Sequence, residues 1–272
     1  MRIVSLACSN TEIVHALGCA HLLVGVDEHS DWPESVVGPL PKLGPDLKPD
    51  LDAVQALKPD LVLATLTVPG HEQVVEQLEA RGLPFIAPEP VSLDDVYRDI
   101  IDIAQRLGVE PRGHALVQQM RATMEGELAT SELATSELAT SLPPATVRRR
   151  PRIVVQWWPK PVFAPGRLSW VHDLLEAAGA DHPLAGEAVK SRALSDDEIR
   201  AYDPDAIVIA WCGVDPAKYR PDVVLNNPAF AETAAIGHKR VVCVPEAFLG
   251  RPGPRLVHGF SALNTLVQEI LT

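Results

Sequence analysis

The sequence predicts an α/β protein made of two similar halves, each built around a mainly parallel β-sheet. Three observations support this prediction. The segment 52–64 is repeated, in type and order of residue, by the segment 197–210. Short apolar runs alternate with amphipathic helical patterns in both halves, which is the order of βαβ units. Between the halves, residues 111–141 are helix-forming and carry no strand signal.

Each copy of the repeated unit has the same three parts. A short helical pattern follows an acid, Asp52 or Asp197, and a Pro-Asp pair then ends the helix. A continuous apolar run comes next, at 61–64 and at 206–210. A short apolar run after a turn signal is typical of a parallel strand buried on both faces. The duplication therefore predicts one such helix–turn–strand unit in each half.

The first half reads in order as alternating strands and helices, which predicts a parallel sheet with right-handed crossovers. Its other predicted strands are 3–7, 22–26 and 84–87, and its other predicted helices are 9–17, 71–80 and 92–107. Ser9 or Asn10 is expected to cap the first helix, and Ser9 with Glu12 fits a capping box. We take residues 1–108 as the N-terminal α/β lobe.

Residues 109–150 are predicted to connect the halves. They contain Glu-Leu-Ala-Thr-Ser three times in tandem, at 127–141, which favours a helical extension or spacer because five residues do not return to the same helix face.

Residues 151–272 form the C-terminal α/β lobe. Its other predicted strands are 153–157 and 241–244, residues 159–166 are expected to be a loop or hairpin, and its other predicted helices are 170–178 and 256–271.

Composition excludes some classes of partner. A formal charge of −12 over 272 residues argues against nucleic acid and anionic membranes, which attract basic surfaces. No apolar run approaches the eighteen or so residues of a membrane span, so we expect no direct membrane insertion. The N-terminus reads as a strand and not as a signal peptide. The four cysteines have no Cys-x-x-Cys spacing, and we expect buried free thiols.

Candidate ligand contacts follow from the rule that open parallel sheets bind ligands at the carboxyl ends of their strands. The candidates are Ser9, Asn10, His29 and Thr65 in the first half, and Trp157, Trp158, Glu246, Phe248 and Arg251 in the second. Nucleophile-elbow, P-loop and dinucleotide-binding motifs are absent from the sequence, which favours binding over catalysis.

Each of the more informative candidates has a structural alternative. Trp157 and Trp158 are neighbours on a strand, so one is expected to pack inward while the other meets a ligand, although both belonging to the core is the competing interpretation. His29 is either a ligand or metal contact or a loop histidine in a local hydrogen bond. Arg251 either meets a carboxylate, amide or phosphate group or lies on the surface.

Several motifs together resemble the cobalamin and iron-siderophore class of ABC-transporter substrate-binding proteins. They are RIVSL at 2–6, SNTEI at 9–13, LVGV at 23–26, SDWP at 30–33, LKPDLVLA at 57–64 and PGPRLV at 252–257. The resemblance implies a class III periplasmic-binding-protein-like fold, with two α/β lobes joined by a single long backbone helix and a ligand cleft between the lobes. Its cobalamin-binding members are the most similar subgroup.

The resemblance also implies a function. The protein would be a monomer without enzymatic activity or a prosthetic group, carrying cobalamin or another corrinoid as transported ligand to ABC permease subunits. Asp52 and Asp197 match the family's docking acids, which are usually glutamates, and helix capping is the alternative role for both. Matching ligand positions are His29, Asp46, Thr65, Trp157 and Phe248, with His29 placed to approach the cobalt. The family acts in the periplasm or at the cell surface.

Three other functions remain open at this stage. A ferric siderophore or haem is the neighbouring ligand class. A cytosolic corrinoid carrier or sensor would suit the plain Met1 start. A chelatase-like enzyme would use His29 with Glu28 and Glu246.

Overall fold

The chain divides into two units, and the boundary between them falls inside one long helix. The computed structural model describes residues 1–139 and 149–272. The N-terminal unit consists of Met1–Pro90, Asp94–Gln119 and Pro252–Pro254, and the C-terminal unit of Val91–Leu93, Met120–Arg251 and Arg255–Thr272. Each unit contains a parallel sheet with helices, which is the two-part α/β architecture that the sequence predicts.

The N-terminal unit is a parallel sheet with helical crossovers. Its elements are β1 (Ile3–Ser5), α1 (Cys8–Ala16), β2 (Leu23–Val26), α2 (Glu34–Val37), α3 (Leu51–Ala56), β3 (Leu61–Leu63), α4 (His71–Ala80), β4 (Phe85–Ile86), α5 (Leu93–Arg106), which begins in the C-terminal unit, and the first part of α6 (Glu110–Ala139). The strand order is β2-β1-β3-β4, and every pair is parallel. The residues of β1 and β3 are buried, as expected for strands covered by helices on both faces.

The C-terminal unit contains a parallel sheet and an antiparallel one. Its elements are β5 (Ile153–Gln156), β6 (Trp158–Pro159), β7 (Val162–Pro165), α7 (Trp170–Ala177), β8 (Ser191–Leu194), α8 (Asp196–Tyr202), β9 (Ala206–Ile209), α9 (Pro221–Leu225), α10 (Ala234–Gly237), β10 (Val241–Cys243), α11 (Glu246–Leu249) and α12 (Leu256–Leu271). The parallel sheet has the order β10-β9-β5, and the antiparallel sheet has the order β6-β7-β8.

The duplicated unit appears as α3–β3 and α8–β9, but the predicted acids do not cap the two helices. Asp50 caps α3, with its carboxylate accepting hydrogen bonds from the backbone N–H groups of Asp52 and Ala53. Ser195 caps α8 and forms a capping box with Glu198. The capping alternative for Asp52 and Asp197 is therefore wrong, because the residues two positions earlier in the chain perform that role.

The start of the first helix also differs from the prediction. The helix begins at Cys8, and Ala7 holds the capping position in extended conformation without a side-chain cap. Ser9 and Asn10 lie inside the first turn and are buried. The chain passes from β1 into α1 with only two intervening residues, so the helix starts earlier than the cap signal indicates. The prediction of a Ser9 cap with Glu12 is wrong.

The connector is helical where it is described. α6 runs from Glu110 to Ala139 and includes the first two copies of the five-residue repeat. The end of the third copy lies outside the described residues. Among the described residues, no helix combines the length and the apolar character needed to cross a bilayer.

Candidate functional site

The carboxyl ends of β1, β2 and β3 lie along one edge of the N-terminal sheet, because these strands are parallel neighbours. Ser9 and Asn10 follow β1, and both side chains are buried. The amide of Asn10 donates to the carbonyl of Ala64 at 2.8 Å, which joins α1 to the end of β3. Thr65 is buried too, and its hydroxyl donates to the carbonyl of Pro88 at 3.3 Å. The side chains of Asn10 and Thr65 are thus used in hydrogen bonds within the protein.

The loop after β2 is held in place by a buried carboxylate. Asp27 accepts from the backbone N–H of His29 at 2.9 Å and from the hydroxyl of Ser30 at 2.5 Å. Ser30 in turn bonds Thr11 of α1 at 2.8 Å. Burial raises the pKa of Asp27 above its usual value, although the hydrogen bonds from Ser30 and His29 act in the opposite direction. The backbone at His29 is therefore fixed to the core of the unit.

His29 lies beside a second carboxylate, that of Asp46. The Nε2 atom of His29 is 3.8 Å from Oδ1 of Asp46, and Nε2 of His71 is 3.1 Å from Oδ2. His71 is the first residue of α4, and its Nδ1 accepts the backbone N–H of Val68 at 3.3 Å. The His71 side chain is 3% exposed, whereas that of His29 is 47% exposed. These three residues form a His–Asp–His row that ends at an accessible imidazole.

The sequence reasoning named His29 and Asp46 but found no role for His71. The strand-end rule would have included it, because His71 closes the loop after β3. Its partner Asp46 is distant in sequence, so no local spacing reveals the contact.

Aromatic side chains mark the end of β5 in the C-terminal unit. Trp157 is partly buried and its backbone N–H donates to the carbonyl of Phe163 at 2.9 Å. Trp158 is 47% exposed, so the two tryptophans differ in burial, although Trp157 lies between β5 and β6 and not within one strand as predicted. Trp158 stands opposite Phe163 across the β6–β7 pair, and Phe163 is 36% exposed. Large exposed aromatics on neighbouring strands form an apolar surface.

A buried hydrogen-bond network joins the strand ends of the C-terminal unit. The indole of Trp211 donates to the side chain of Gln156 at 2.8 Å. Tyr219 donates its hydroxyl to the carbonyl of Trp211 at 3.3 Å and accepts the backbone N–H of Glu246 at 3.0 Å. Burial raises the pKa of Tyr219 to about 12, so the phenol stays protonated and keeps both bonds. The sequence analysis missed Tyr219, which lies outside every strand end.

Two predicted ligand groups bond each other. Nε of Arg251 lies 3.1 Å from Oε2 of Glu246, and both side chains are largely buried. The guanidinium charge of Arg251 is thus already compensated within its own loop. Phe248, between them, contacts the ring of His258 at 5.1 Å and lies under the guanidinium of Arg255 at 5.5 Å. This segment is a fixed element and not a free binding arm.

The two predicted docking acids are surface residues. The side chains of Asp52 and Asp197 are 86% and 98% exposed. Each pairs with one arginine, Arg81 at 2.6 Å and Arg200 at 2.8 Å. Exposed pairs of this kind contribute little to stability, about 0–1 kcal/mol. Both carboxylates are therefore accessible to a partner.

Cys8, Cys19, Cys212 and Cys243 are all free, as expected, although Cys212 and Cys243 are exposed and not buried. Within the described ranges, no three His, Cys, Asp or Glu side chains are arranged to hold a metal ion. A cavity of about 460 Å³ lies between the β6–β7 turn, the start of α8 and the end of α9. Its lining includes none of the predicted ligand contacts.

Comparisons with known proteins agree with this architecture. The chain is 27% identical over 265 residues to YvrC of Bacillus subtilis, an uncharacterized ABC transporter substrate-binding lipoprotein, covering 96% of this chain and 78% of the relative. It is 26% identical over 211 residues to a vitamin B12-binding protein of Yersinia pestis, covering 77% and 69%. A periplasmic haem-binding protein from Pseudomonas aeruginosa has a solved structure with a TM-score of 0.81 and 26% identity, covering 98% and 92%.

The family assignment rests on a longer match than any single element of the fold. The periplasmic binding protein family matches residues 3–247, which span the sheets of both units and the helix between them. The chain therefore belongs to the periplasmic binding protein family.

Proposed function

We propose that this chain is the substrate-binding protein of an ABC importer and that its cargo is a corrinoid such as cobalamin. Membership in the periplasmic binding protein family supports the first part. Relatives described as an ABC transporter substrate-binding lipoprotein and as a vitamin B12-binding protein support both. The observation that carries the choice of cargo is the exposed aromatic surface formed by Trp158 and Phe163 at the end of β5.

A planar macrocycle suits this surface. Tryptophan is usually largely buried in a folded protein, so Trp158 at 47% exposure implies a contact still to be made. Stacking on an aromatic face contributes about 0.5–1.5 kcal/mol beyond the apolar area that it buries. A corrin ring and its amide side chains would cover both aromatics. Trp158 and Phe163 are thus the expected ring contacts in the C-terminal unit.

Haem is the second candidate cargo. The solved haem-binding protein from Pseudomonas aeruginosa is as similar in sequence as the vitamin B12-binding relative. Haem is planar and would use the same aromatic surface. A ferric siderophore is less suited, because binding its anionic groups calls for uncompensated cations, and Arg251 is already paired with Glu246.

Titration of the purified full chain tests the cargo. Cyanocobalamin, hemin and a ferric siderophore are each titrated, with binding followed by absorbance and calorimetry. We expect stoichiometric binding of cyanocobalamin without conversion to a product. Binding of hemin alone would identify haem, and not a corrinoid, as the cargo. No binding of any of the three would refute the proposal. Product formation would instead indicate an enzyme.

The aromatic contact is tested by substitution. Trp158→Ala is expected to weaken binding at least tenfold, and Trp158→Phe, which retains an aromatic face, is expected to restore part of the loss. Leu225→Ala is the matched control, because Leu225 is a large apolar side chain that is 49% exposed on α9 and is not among the predicted ligand contacts. Equal affinity of Trp158→Ala and the wild type would count against this surface as the binding site.

Delivery to the importer is assigned to Asp52 and Asp197. Both residues are exposed and acidic, and neither caps its helix, so their carboxylates suit contact with basic groups of a membrane subunit. Asp52→Ala with Asp197→Ala should abolish uptake in cells while cargo binding is kept. Asp222→Ala is the control, because Asp222 is a surface acid paired in the same way with Arg220. Unchanged uptake would favour a carrier that works without a transporter.

A further inference from the structure

We propose that the cavity beside the β6–β7 hairpin is a second binding site, and that it takes a small zwitterion with an apolar body, either a hydrophobic amino acid or a short hydrophobic peptide. This hairpin cavity is the space of about 460 Å³ between the β6–β7 turn, the start of α8 and the end of α9. It lies within the C-terminal unit. The proposal goes beyond the proposed function and does not depend on the identity of the cargo.

The hairpin cavity and the aromatic surface belong to opposite faces of the same two strands. Trp158 pairs with Phe163, and Pro159 pairs with Val162, across the β6–β7 hairpin. Successive residues of a strand point to opposite faces. Pro159 and Val162 line the cavity, whereas Trp158 and Phe163 do not. A ligand in the cavity would therefore contact the hairpin on the side opposite to the proposed cargo surface.

The floor of the cavity is apolar and continues into the core of the C-terminal unit. Val162 and Leu194 are both buried, and they are paired residues of β7 and β8. Val223 of α9 packs against the same core cluster. Prolines complete the apolar lining at positions 159, 161 and 228. A cavity of this volume, with an apolar lining and a few polar groups, is typical of sites for small molecules.

Two charges of opposite sign border the cavity without bonding each other. Lys160 lies at the turn of the hairpin, and within the described ranges its ammonium has no hydrogen-bond or ion-pair partner. Asp196 is the first residue of α8, and its carboxylate lies 3.7 Å from Nη2 of Arg200. The other terminal nitrogen of Arg200 is closer to its partner, at 2.8 Å from Asp197. A free ammonium and a loosely paired carboxylate on one cavity complement the two charges of a zwitterion.

Two further polar residues of the lining are already fixed within the protein. Both carboxylate oxygens of Asp222 accept from Arg220, at 2.9 and 2.7 Å, so this charge is compensated. The side-chain oxygen of Asn227 accepts the backbone N–H of Ala229 at 3.0 Å, which leaves its NH₂ group as a donor. The lining thus offers an ammonium and an amide donor to a carboxylate, and the Asp196 carboxylate to an ammonium.

Calorimetry of the full chain with small probes tests the ligand class. L-Leucine and the dipeptide leucyl-leucine carry both charges and an apolar body. Isocaproate lacks the ammonium of leucine, and isoamylamine lacks its carboxylate. We expect saturable binding of at least one zwitterionic probe, and at least tenfold weaker binding of the two singly charged probes. Binding of leucine alone would identify an amino acid site, and tighter binding of the dipeptide would identify a peptide site.

Substitutions at the rim locate the site. Lys160→Met and Asp196→Asn should each weaken binding of the zwitterionic probe at least tenfold, because each removes a charged hydrogen-bonding partner. Lys160→Arg retains the charge and should restore part of the loss. Both residues are exposed, so these variants should fold. Lys218→Met and Glu232→Gln are the matched controls, because they are exposed residues of the same unit and lie outside the lining.

Three results would overturn the proposal. Absence of saturable binding of both zwitterionic probes would exclude the ligand class. Isocaproate or isoamylamine binding as tightly as leucine would show that one of the two charges is not used. Unchanged affinity in Lys160→Met or in Asp196→Asn would place the binding elsewhere. The titrations with cyanocobalamin, hemin and a siderophore have separate outcomes, so this proposal and the proposed function can fail independently.

Discussion

Gly259 of α12 is a position where a single added methyl group should destabilise the C-terminal unit. A Cβ atom at this residue would lie 2.0 Å from the carbonyl oxygen of Phe248 and 2.8 Å from Cδ2 of Leu249. Ordinary contact begins at about 3.4 Å, so α11 would have to move by more than 1 Å. The obstacle is backbone, which cannot rotate out of the way as a side chain does.

The magnitude follows from two opposing effects. Overpacking of a filled interior costs about 1–3 kcal/mol, and a clash with a main-chain carbonyl belongs at the upper end. Replacing a helical glycine by alanine contributes about 1 kcal/mol in the favourable direction. Gly259→Ala is therefore expected to lose about 2 kcal/mol of unfolding free energy.

Gly126 of α6 offers a matched control. It belongs to the same unit, and a Cβ there meets nothing within 4 Å. Gly126→Ala should therefore stabilise the protein by up to about 1 kcal/mol. Guanidinium unfolding followed by tryptophan fluorescence is the assay, because Trp157, Trp158, Trp170 and Trp211 all lie in the C-terminal unit. A Gly259→Ala protein as stable as the wild type would refute the packing argument.

Three other predictions concern pH, capping and the buried network. Burial, assisted by the charge of His172, lowers the pKa of His182 from 6.5 to about 4. As the pH falls, the unfolded chain therefore takes up a proton at this histidine before the folded protein does. The free energy of unfolding should consequently decrease by about 3 kcal/mol between pH 6.5 and pH 4. Unfolding curves at pH 7 and pH 4.5 measure this loss, and His182→Asn should reduce it; an undiminished loss would assign it to other groups. Asp50→Ala should lower the free energy of unfolding by about 1 kcal/mol, the usual contribution of a helix cap. Asp52→Ala should lower it by less than about 0.5 kcal/mol. Equal losses of the two variants in thermal unfolding would contradict the observed caps. Tyr219→Phe should cost about 0.5–1.5 kcal/mol of unfolding free energy for each hydrogen bond that it removes, and wild-type stability in thermal unfolding would show that the link to α11 is dispensable.

The architecture could be predicted because its signals are local. A Pro-Asp turn followed by a run such as 206–210 identifies a buried strand from neighbouring residues alone, and β9 occupies that run. The start of α1 could not be read in this way, because Ser9 is a good cap in isolation but is buried behind β1. Burial against a sheet outweighs the few tenths to two kcal/mol of a capping preference.

The sequence predicts which residues follow the strands, but it does not predict the partners of their side chains. The strand-end rule selects Trp158 and His29 correctly as accessible groups. The rule does not distinguish them from Asn10, whose side-chain amide already donates a hydrogen bond to the carbonyl of Ala64. The His71 contact with Asp46 depends on how separate loops pack, which no periodicity in the chain encodes. Tertiary hydrogen bonds therefore decide which polar residues at a strand end remain available.

At the starts of α3 and α8, the residue that caps the helix is not the exposed acid that follows it, and this separation affects which substitutions the protein can accept during evolution. Asp50 and Ser195 carry the stability of those helices, so the neighbouring acids contribute almost nothing to folding. If these acids dock to a partner as proposed, substitutions at Asp52 and Asp197 would be selected for partner recognition alone. A lineage could lengthen, reverse or remove either charge and so exchange one partner for another without passing through an unstable intermediate.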